Sequence, residues 1–80
     1  MEVEVLMPQL GQSMTNGTIV EWYKKEGEHV DKTESLFLVD TQKATIDVEA
    51  EVSGVLRKIL VHEGELANVG QVVAIIETQG

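Results

Sequence analysis

The sequence has no cysteine, a single proline, and one each of tryptophan, tyrosine and phenylalanine. Without cysteine there is no disulfide framework and no thiolate metal site, and the composition suits a reducing compartment. No apolar run reaches the length of a membrane span, and no signal-peptide pattern opens the chain. Met1 leads at once into Glu2-Val3-Glu4-Val5, whose alternation already reads as a strand. Basic residues are scarce as well: six against fourteen acids, for a formal charge of −8. Phosphate backbones demand a basic face, so nucleic acid is not an expected partner, and neither is a membrane. What remains is 80 residues, 42% of them apolar, enough for one modest core in one domain over residues 1–80. A segment of this size is expected to be an excised or N-terminal module of a longer chain.

The chain repeats itself at an offset of 37 residues. Gly17 through Asp40 maps onto Gly54 through Glu77 without a gap. Gly17, Glu26, Gly27 and Glu28 recur as Gly54, Glu63, Gly64 and Glu65, and apolar partners such as Leu36 with Val73 and Leu38 with Ile75 follow. Each half reads as strand, glycine turn, short strand, turn, strand. The spacing predicts strands over 2–7, 17–23, 35–40, 44–49, 54–60 and 71–77, with Val30 and Leu66-Ala67 in short ones. Gly27 and Gly64 are expected at positive φ. No window has helical apolar spacing. The fold class is therefore all-β, a flattened barrel or sandwich of two halves related by a pseudo-twofold axis.

One lysine stands out against this frame. Lys43 lies in Asp40-Thr41-Gln42-Lys43-Ala44, between the strand-like runs Leu36-Phe37-Leu38-Val39 and Ala44-Thr45-Ile46-Asp47-Val48. A flexible cation at the tip of a stiff hairpin points to a modification site. The chemistry of such a site needs an accessible ε-amine with no tight carboxylate partner, because the neutral amine is the nucleophile. Under the repeat, Lys43 corresponds to Gly80, so the hairpin is expected at the end opposite the C-terminus, with the N-terminal strand beside the C-terminal one. The step from Met7-Pro8 to Gly17 exceeds its counterpart before Gly54, and the surplus is the polar loop Gln9-Leu10-Gly11-Gln12-Ser13-Met14-Thr15-Asn16. Symmetry places that loop at the Lys43 end.

These residues together resemble the lipoyl domain of the dihydrolipoamide acyltransferase (E2) component of 2-oxo acid dehydrogenase complexes. Met7-Pro8-Gln9-Leu10-Gly11 is similar to the opening motif of the family, and Gly17-Thr18-Ile19-Val20-Glu21-Trp22 to its second strand. Lys25-Glu26-Gly27-Glu28-His29-Val30 resembles its glycine turn, and Asp40-Thr41-Gln42-Lys43-Ala44 its lipoylation hairpin. Gly54, Gly64-Glu65 and Val69-Gly70 resemble its second half. The resemblance implies lipoate joined to Lys43 as an amide, forming a swinging arm, with Asp40, Thr41, Gln42 and Ala44 flanking it. It implies a carrier with no catalytic residue and no metal of its own, part of an acyltransferase in the full-length chain. The implied partners are a lipoate-protein ligase or lipoyl transferase, a thiamine-dependent E1, the E2 catalytic core and dihydrolipoamide dehydrogenase, E3. The isolated domain is expected to be a monomer, in a bacterial or archaeal cytoplasm or a mitochondrial matrix, the cytoplasm first. Pyruvate, 2-oxoglutarate, branched-chain and acetoin systems all share the module.

In one place the chain departs from the family pattern: Gln42 stands where an acid usually precedes the modified lysine. The related biotinyl type carries methionines on both sides of its lysine, and neither Gln42 nor Ala44 is one. Candidates for partner recognition are Gln9, Leu10, Gly11, Gln12, Ser13 and Met14 of the loop, and Asp47 and Glu49. With Asp40 and Glu51, those last two are expected to form an acidic collar that steers basic partners. Trp22, Tyr23 and Phe37 are expected in or near the core. His29 and His62 are too isolated for a metal site, and the acids around Gly27 and Gly64 read as turn chemistry. Two alternatives stay open at this point: a biotin carrier, and an unmodified β-sandwich interaction module.

Overall fold

The computed structural model of the chain describes residues 1–78. Eight strands form two four-stranded antiparallel sheets. One sheet orders β1 (Glu2–Leu6), β8 (Val72–Glu77), β6 (Gly54–Ile59) and β3 (His29–Val30). The other orders β5 (Thr45–Glu49), β4 (Ser35–Asp40), β2 (Asn16–Trp22) and β7 (Leu66–Asn68). The sheets face each other as a sandwich and do not close into a barrel, so of the two expected architectures the sandwich is the one formed. Strand positions match the sequence reading to within one residue at most ends.

The repeat carries through to the register of the long strands. Thr18↔Asp40, Ile19↔Val39, Glu21↔Leu38 and Trp22↔Phe37 join β2 to β4. Their counterparts Val55↔Glu77, Leu56↔Ile76, Lys58↔Ile75 and Ile59↔Ala74 join β6 to β8, with the register shift at the same step. The short strands trade places: β3 pairs β6 through His29↔Val55 and Val30↔Gly54, and β7 pairs β2 through Leu66↔Thr18 and Ala67↔Gly17. Each half therefore lends a short strand to the other. The correspondence extends beyond the repeat seen in the sequence. Glu2–Leu6 of β1 pair with β8 as Thr45–Glu49 of β5 pair with β4.

The turn acids follow the same rule. The Glu63 carboxylate accepts the Trp22 backbone N–H at 2.9 Å, and Glu26 accepts that of Ile59 at 2.8 Å. Glu28 and Glu65 accept the backbone N–H groups of Lys25 and His62. Glu28 and Glu65 close turns, as their repetition implied, while Glu26 and Glu63 tie the halves together. Gly27 and Gly64 hold φ of 92° and 87°.

Between the sheets, Ile19, Leu36, Val39, Leu56, Val73 and Ile76 are fully buried in symmetric pairs. Size is traded across the axis. Trp22 and Phe37 pack with ring centroids 4.7 Å apart where the other half has Ile59 and Ala74. Phe37 is fully buried and Trp22 half-buried, its indole N–H donating to the Val61 carbonyl at 2.9 Å. Tyr23 departs from the expected core position. It is 41% exposed on the outer face, where its hydroxyl donates to Asp47 at 2.8 Å. Its place in the repeat is that of Leu60, equally exposed, so the sheet turns both outward.

Among the described residues, Thr33 is the one non-glycine held at positive φ. It holds φ of 78° where its counterpart is Gly70 at 89°. A β-branched residue pays about 1–2 kcal/mol in that region, whereas glycine loses about 0.5–1 kcal/mol of backbone entropy. Thr33→Gly is therefore expected to raise stability by about 0.5–1 kcal/mol, read as a rise of a few degrees in Tm. A fall in Tm would contradict the assignment.

Glu34 makes stability sensitive to acid. The Asp31 backbone N–H, and after it Lys24, hold the Glu34 carboxyl below the ordinary glutamate value of 4.5. A lowered folded pKa means a contribution that is complete above the ordinary value and lost as pH falls through the lowered one. Glu34→Gln keeps an oxygen for Asp31, as Gln71 does for Asn68 at the equivalent turn. The variant should therefore lose less stability than the parent on acidification below that pH, measured by urea midpoints across a pH series. Parallel curves would contradict the assignment.

Candidate functional site

The hairpin between β4 and β5 ends its ladder at Asp40↔Thr45, leaving residues 41–44 as the tip. Thr41 organises that tip. Its backbone N–H and its hydroxyl both donate to the Ala44 carbonyl, each at 2.8 Å. The hydroxyl oxygen also accepts the N–H of Ala44 at 3.1 Å and of Lys43 at 3.3 Å. A hydroxyl four residues from the far strand replaces a backbone turn bond, the usual reason for threonine in such turns. Gln42, Lys43 and Ala44 are all exposed. Lys43 enters no ion pair among the described residues, whereas Lys24 is held by Glu34 at 3.2 Å. The tip therefore offers a free primary amine on a fixed backbone, the arrangement an acyl donor needs to form an amide. Thr41→Val removes the hydroxyl at constant shape, and should slow acylation of Lys43 by an enzyme that reads the tip. Thr41→Ser should restore most of the rate. Equal rates in all three proteins would show that the hydroxyl network does not present the lysine.

The symmetry fixes where this tip lies. At the equivalent place of the other half, Thr78 N–H and hydroxyl donate to the Met1 carbonyl at 2.8 and 3.1 Å, as Thr41 does to Ala44. The described chain ends thus occupy the position that the hairpin occupies in the first half. From Asp40, β4 runs six residues, roughly 20 Å, away from the tip. The turn after β3 joins it there, and β3 lies beside Val55, the partner of Glu77. In a molecule 37 Å long, the hairpin and the paired β1 and β8 ends therefore lie at opposite ends. Gly80, the counterpart of Lys43, lies outside the described residues.

The surplus loop folds over the Lys43 end as symmetry required. Met7 is buried at its root, and the Gln9 amide donates to the Gln12 and Met14 carbonyls at 3.4 Å each. A cavity of about 370 Å³ separates residues 10–16 of this loop from Thr41–Ala44 and Ile46. Loop and hairpin thus share one surface, with Leu10, Gly11, Gln12, Ser13 and Met14 lining it and Gln9 bracing it from behind.

The acids are not brought together. Asp40 sits at the base of the hairpin, but Asp47 points outward along β5 to the Tyr23 hydroxyl, and Glu49 pairs with Ser35 at the far end of that strand. Glu51 lies further on. The expected collar is therefore a line running away from the tip, because each pair of residues along a strand advances about 7 Å. The Asp47 carboxylate raises the Tyr23 hydroxyl above its ordinary pKa through their hydrogen bond. His29, in β3, and His62, in the segment between β6 and β7, are both exposed, and no group of three metal-ligating side chains occurs among the described residues. Two features of the site escaped the sequence reading. Thr41 figured there only as a neighbour of Lys43, though a threonine opening a four-residue turn signals a capping hydroxyl. In the sequence Ile46 is one more apolar residue of a strand, and its place in the cavity wall depends on a loop thirty residues away in the chain.

Comparison with known proteins adds an independent line. A family profile described as Biotin-requiring enzyme (Biotin_lipoyl) matches residues 3–76. The chain is 42% identical over 73 residues to the dihydrolipoyllysine-residue succinyltransferase component of the 2-oxoglutarate dehydrogenase complex of Staphylococcus saprophyticus, covering 91% of this chain and 17% of that protein. It is 44% identical over 73 residues to a chloroplastic dihydrolipoyllysine-residue acetyltransferase component of pyruvate dehydrogenase from Arabidopsis thaliana, covering 91% and 16%. Among solved structures, the lipoyl domain of the 2-oxoglutarate dehydrogenase complex from Azotobacter vinelandii superposes with a TM-score of 0.79 at 29% identity. That match covers 98% of this chain and 99% of the other. The chain thus spans about a sixth of the length of these two enzyme components and the whole of the isolated domain.

Proposed function

The chain belongs to the family of biotin- and lipoyl-bearing domains, and on that premise we propose that it is a lipoyl carrier, with Lys43 as the residue that takes lipoate in amide linkage. The observation that carries this reading is the free amine of Lys43 on a tip locked by Thr41. Bound there, lipoate supplies a dithiolane able to accept an acyl group together with two electrons. The chain's own residues present it. Thr41 fixes the backbone, the β4–β5 ladder keeps the tip rigid, and the lysine methylenes give reach.

In this reading the domain is one module of a dihydrolipoamide acyltransferase and is not itself a catalyst. Its partners are a lipoate ligase or transferase, a thiamine-dependent E1, the E2 core and E3. Placement of Lys43 at the end opposite the paired Glu2 and Glu77 ends of β1 and β8 supports such a role, since a tether continuing from there leaves the lysine facing outward. Tethering then raises the effective concentration of the arm at each partner in turn. Gln42 and Ala44 beside the lysine, in place of methionines, favour lipoate over biotin. The test is exposure of the unmodified domain to a lipoate ligase and, separately, to a biotin ligase. A lipoyl mass increment without avidin binding is expected. Avidin binding without the lipoyl increment would overturn the choice of cargo.

A further inference from the structure

We infer that the cavity beside Lys43 is a resting site for the uncharged end of the arm that this lysine carries, with Leu10, Met14 and Ile46 as its apolar walls. The inference rests on the lipoyl-carrier reading above.

Three observations converge on it. The first is a break in symmetry. Strand registers and most turn bonds recur between the halves, whereas the segment from Pro8 to Thr15 is an inserted stretch with no counterpart of its length. That insertion is spent on walling a cavity at the lysine end. At the opposite end the step from β5 to β6 is only residues 50–53.

The second is charge. The domain carries fourteen acids, yet none lines this cavity; Lys43 is its one charged lining residue. Amide formation removes that charge, so the loaded domain has a cavity lined only by neutral groups. Such a site suits an alkyl chain and a dithiolane, and gives nothing to a basic partner surface.

The third is the state of the apolar walls. Leu10, Met14 and Ile46 are each half-buried against the core, with their remaining surface turned to the cavity. Met14 is held in place, its sulfur 3.3 Å from the Leu10 backbone nitrogen, and its flexible thioether can adapt to an irregular guest. The occupant is attached to the rim at Lys43, so even weak affinity fills the site. An effective concentration on the order of millimolar half-fills a site whose Kd is of the same order.

The test uses the domain lipoylated by a ligase, with loading confirmed by intact mass. Amide chemical shifts of loaded and unloaded protein are compared. Changes at Leu10, Met14 and Ile46 as well as 42–44 are expected. Half occupancy should also slow reduction of the dithiolane by a water-soluble phosphine about twofold relative to free lipoamide. Leu10→Ser and Ile46→Ser, each checked for folding by melting, should restore the free rate. If a variant fails to fold, free lipoamide titrated into the unloaded parent should shift the same three residues. Shifts confined to 42–44 with a reduction rate equal to that of free lipoamide would overturn the inference, as would loop shifts that arise only when an E1 protein is added. Either result leaves the carrier reading intact. Failure of the ligase to load the domain would instead remove the carrier reading itself.

Discussion

Replacing Gly54 with alanine is expected to cost about 3 kcal/mol, enough to lower Tm by roughly 15 °C in a domain of this size. Gly54 is buried at the start of β6, where β3, β6 and β8 meet. A Cβ there would overlap the Glu77 carbonyl oxygen, lie 3.0 Å from the carbon of the same carbonyl and 2.8 Å from Ile76 Cγ2. The obstacle is backbone. It moves only if β8 shifts, and β8 also pairs with β1. Gly17, its counterpart, meets Val39 Cγ2 at 2.6 Å and Met14 Cε at 3.2 Å. Those are side chains that can give way, so Gly17→Ala should cost less. Gly11 has nothing within 4 Å and is the control. Thermal melts of the three alanine variants should rank Gly54 worst and Gly11 unchanged. Equal melting of Gly54→Ala and Gly11→Ala would contradict the packing described.

The second large effect is all-or-none. Lys43→Arg should abolish lipoylation while leaving stability within about 0.5 kcal/mol of the parent, as expected of an exposed residue. Arginine keeps the charge and length but offers no amine that a ligase can acylate. The chain has four other lysines, at 24, 25, 32 and 58, so loss of all modification would mean that chemistry is confined to the tip and is not a general property of exposed amines. Lys24 is drawn to Glu34, and the others lie away from the β4–β5 turn. A change of the hairpin alone would slow loading. Removal of the acceptor leaves none.

Much of this architecture was legible because the chain carries its plan twice. Gly17 and Gly54, and the Glu-Gly-Glu turns, marked the repeat, and the apolar runs Leu36 to Val39 and Val73 to Ile76 gave the paired strands. The kinship of β1 with β5 was hidden for a simple reason. Val3, Glu4 and Val5 do match Ile46, Asp47 and Val48, but the inserted loop shifts them to a different offset from the rest. Thr33 concealed a positive φ behind a residue that seldom adopts one. The acidic collar does not form because nearness in sequence along β5 is not nearness to the tip: a strand carries successive outward residues steadily away from its turn. Lys43 itself was legible because a hairpin tip is a local feature. The cavity beside it was not, since its two walls come from distant segments and only the fold brings them together.

Mass spectrometry after incubation of the unmodified domain with a lipoate ligase tests the central claim most directly. The intact protein should gain one lipoyl group, and peptide mapping should place it on Lys43 and on no other lysine. Folded protein left unmodified by a ligase that loads a known lipoyl domain in the same tube, or a group found at Lys24, Lys25, Lys32 or Lys58, would contradict it.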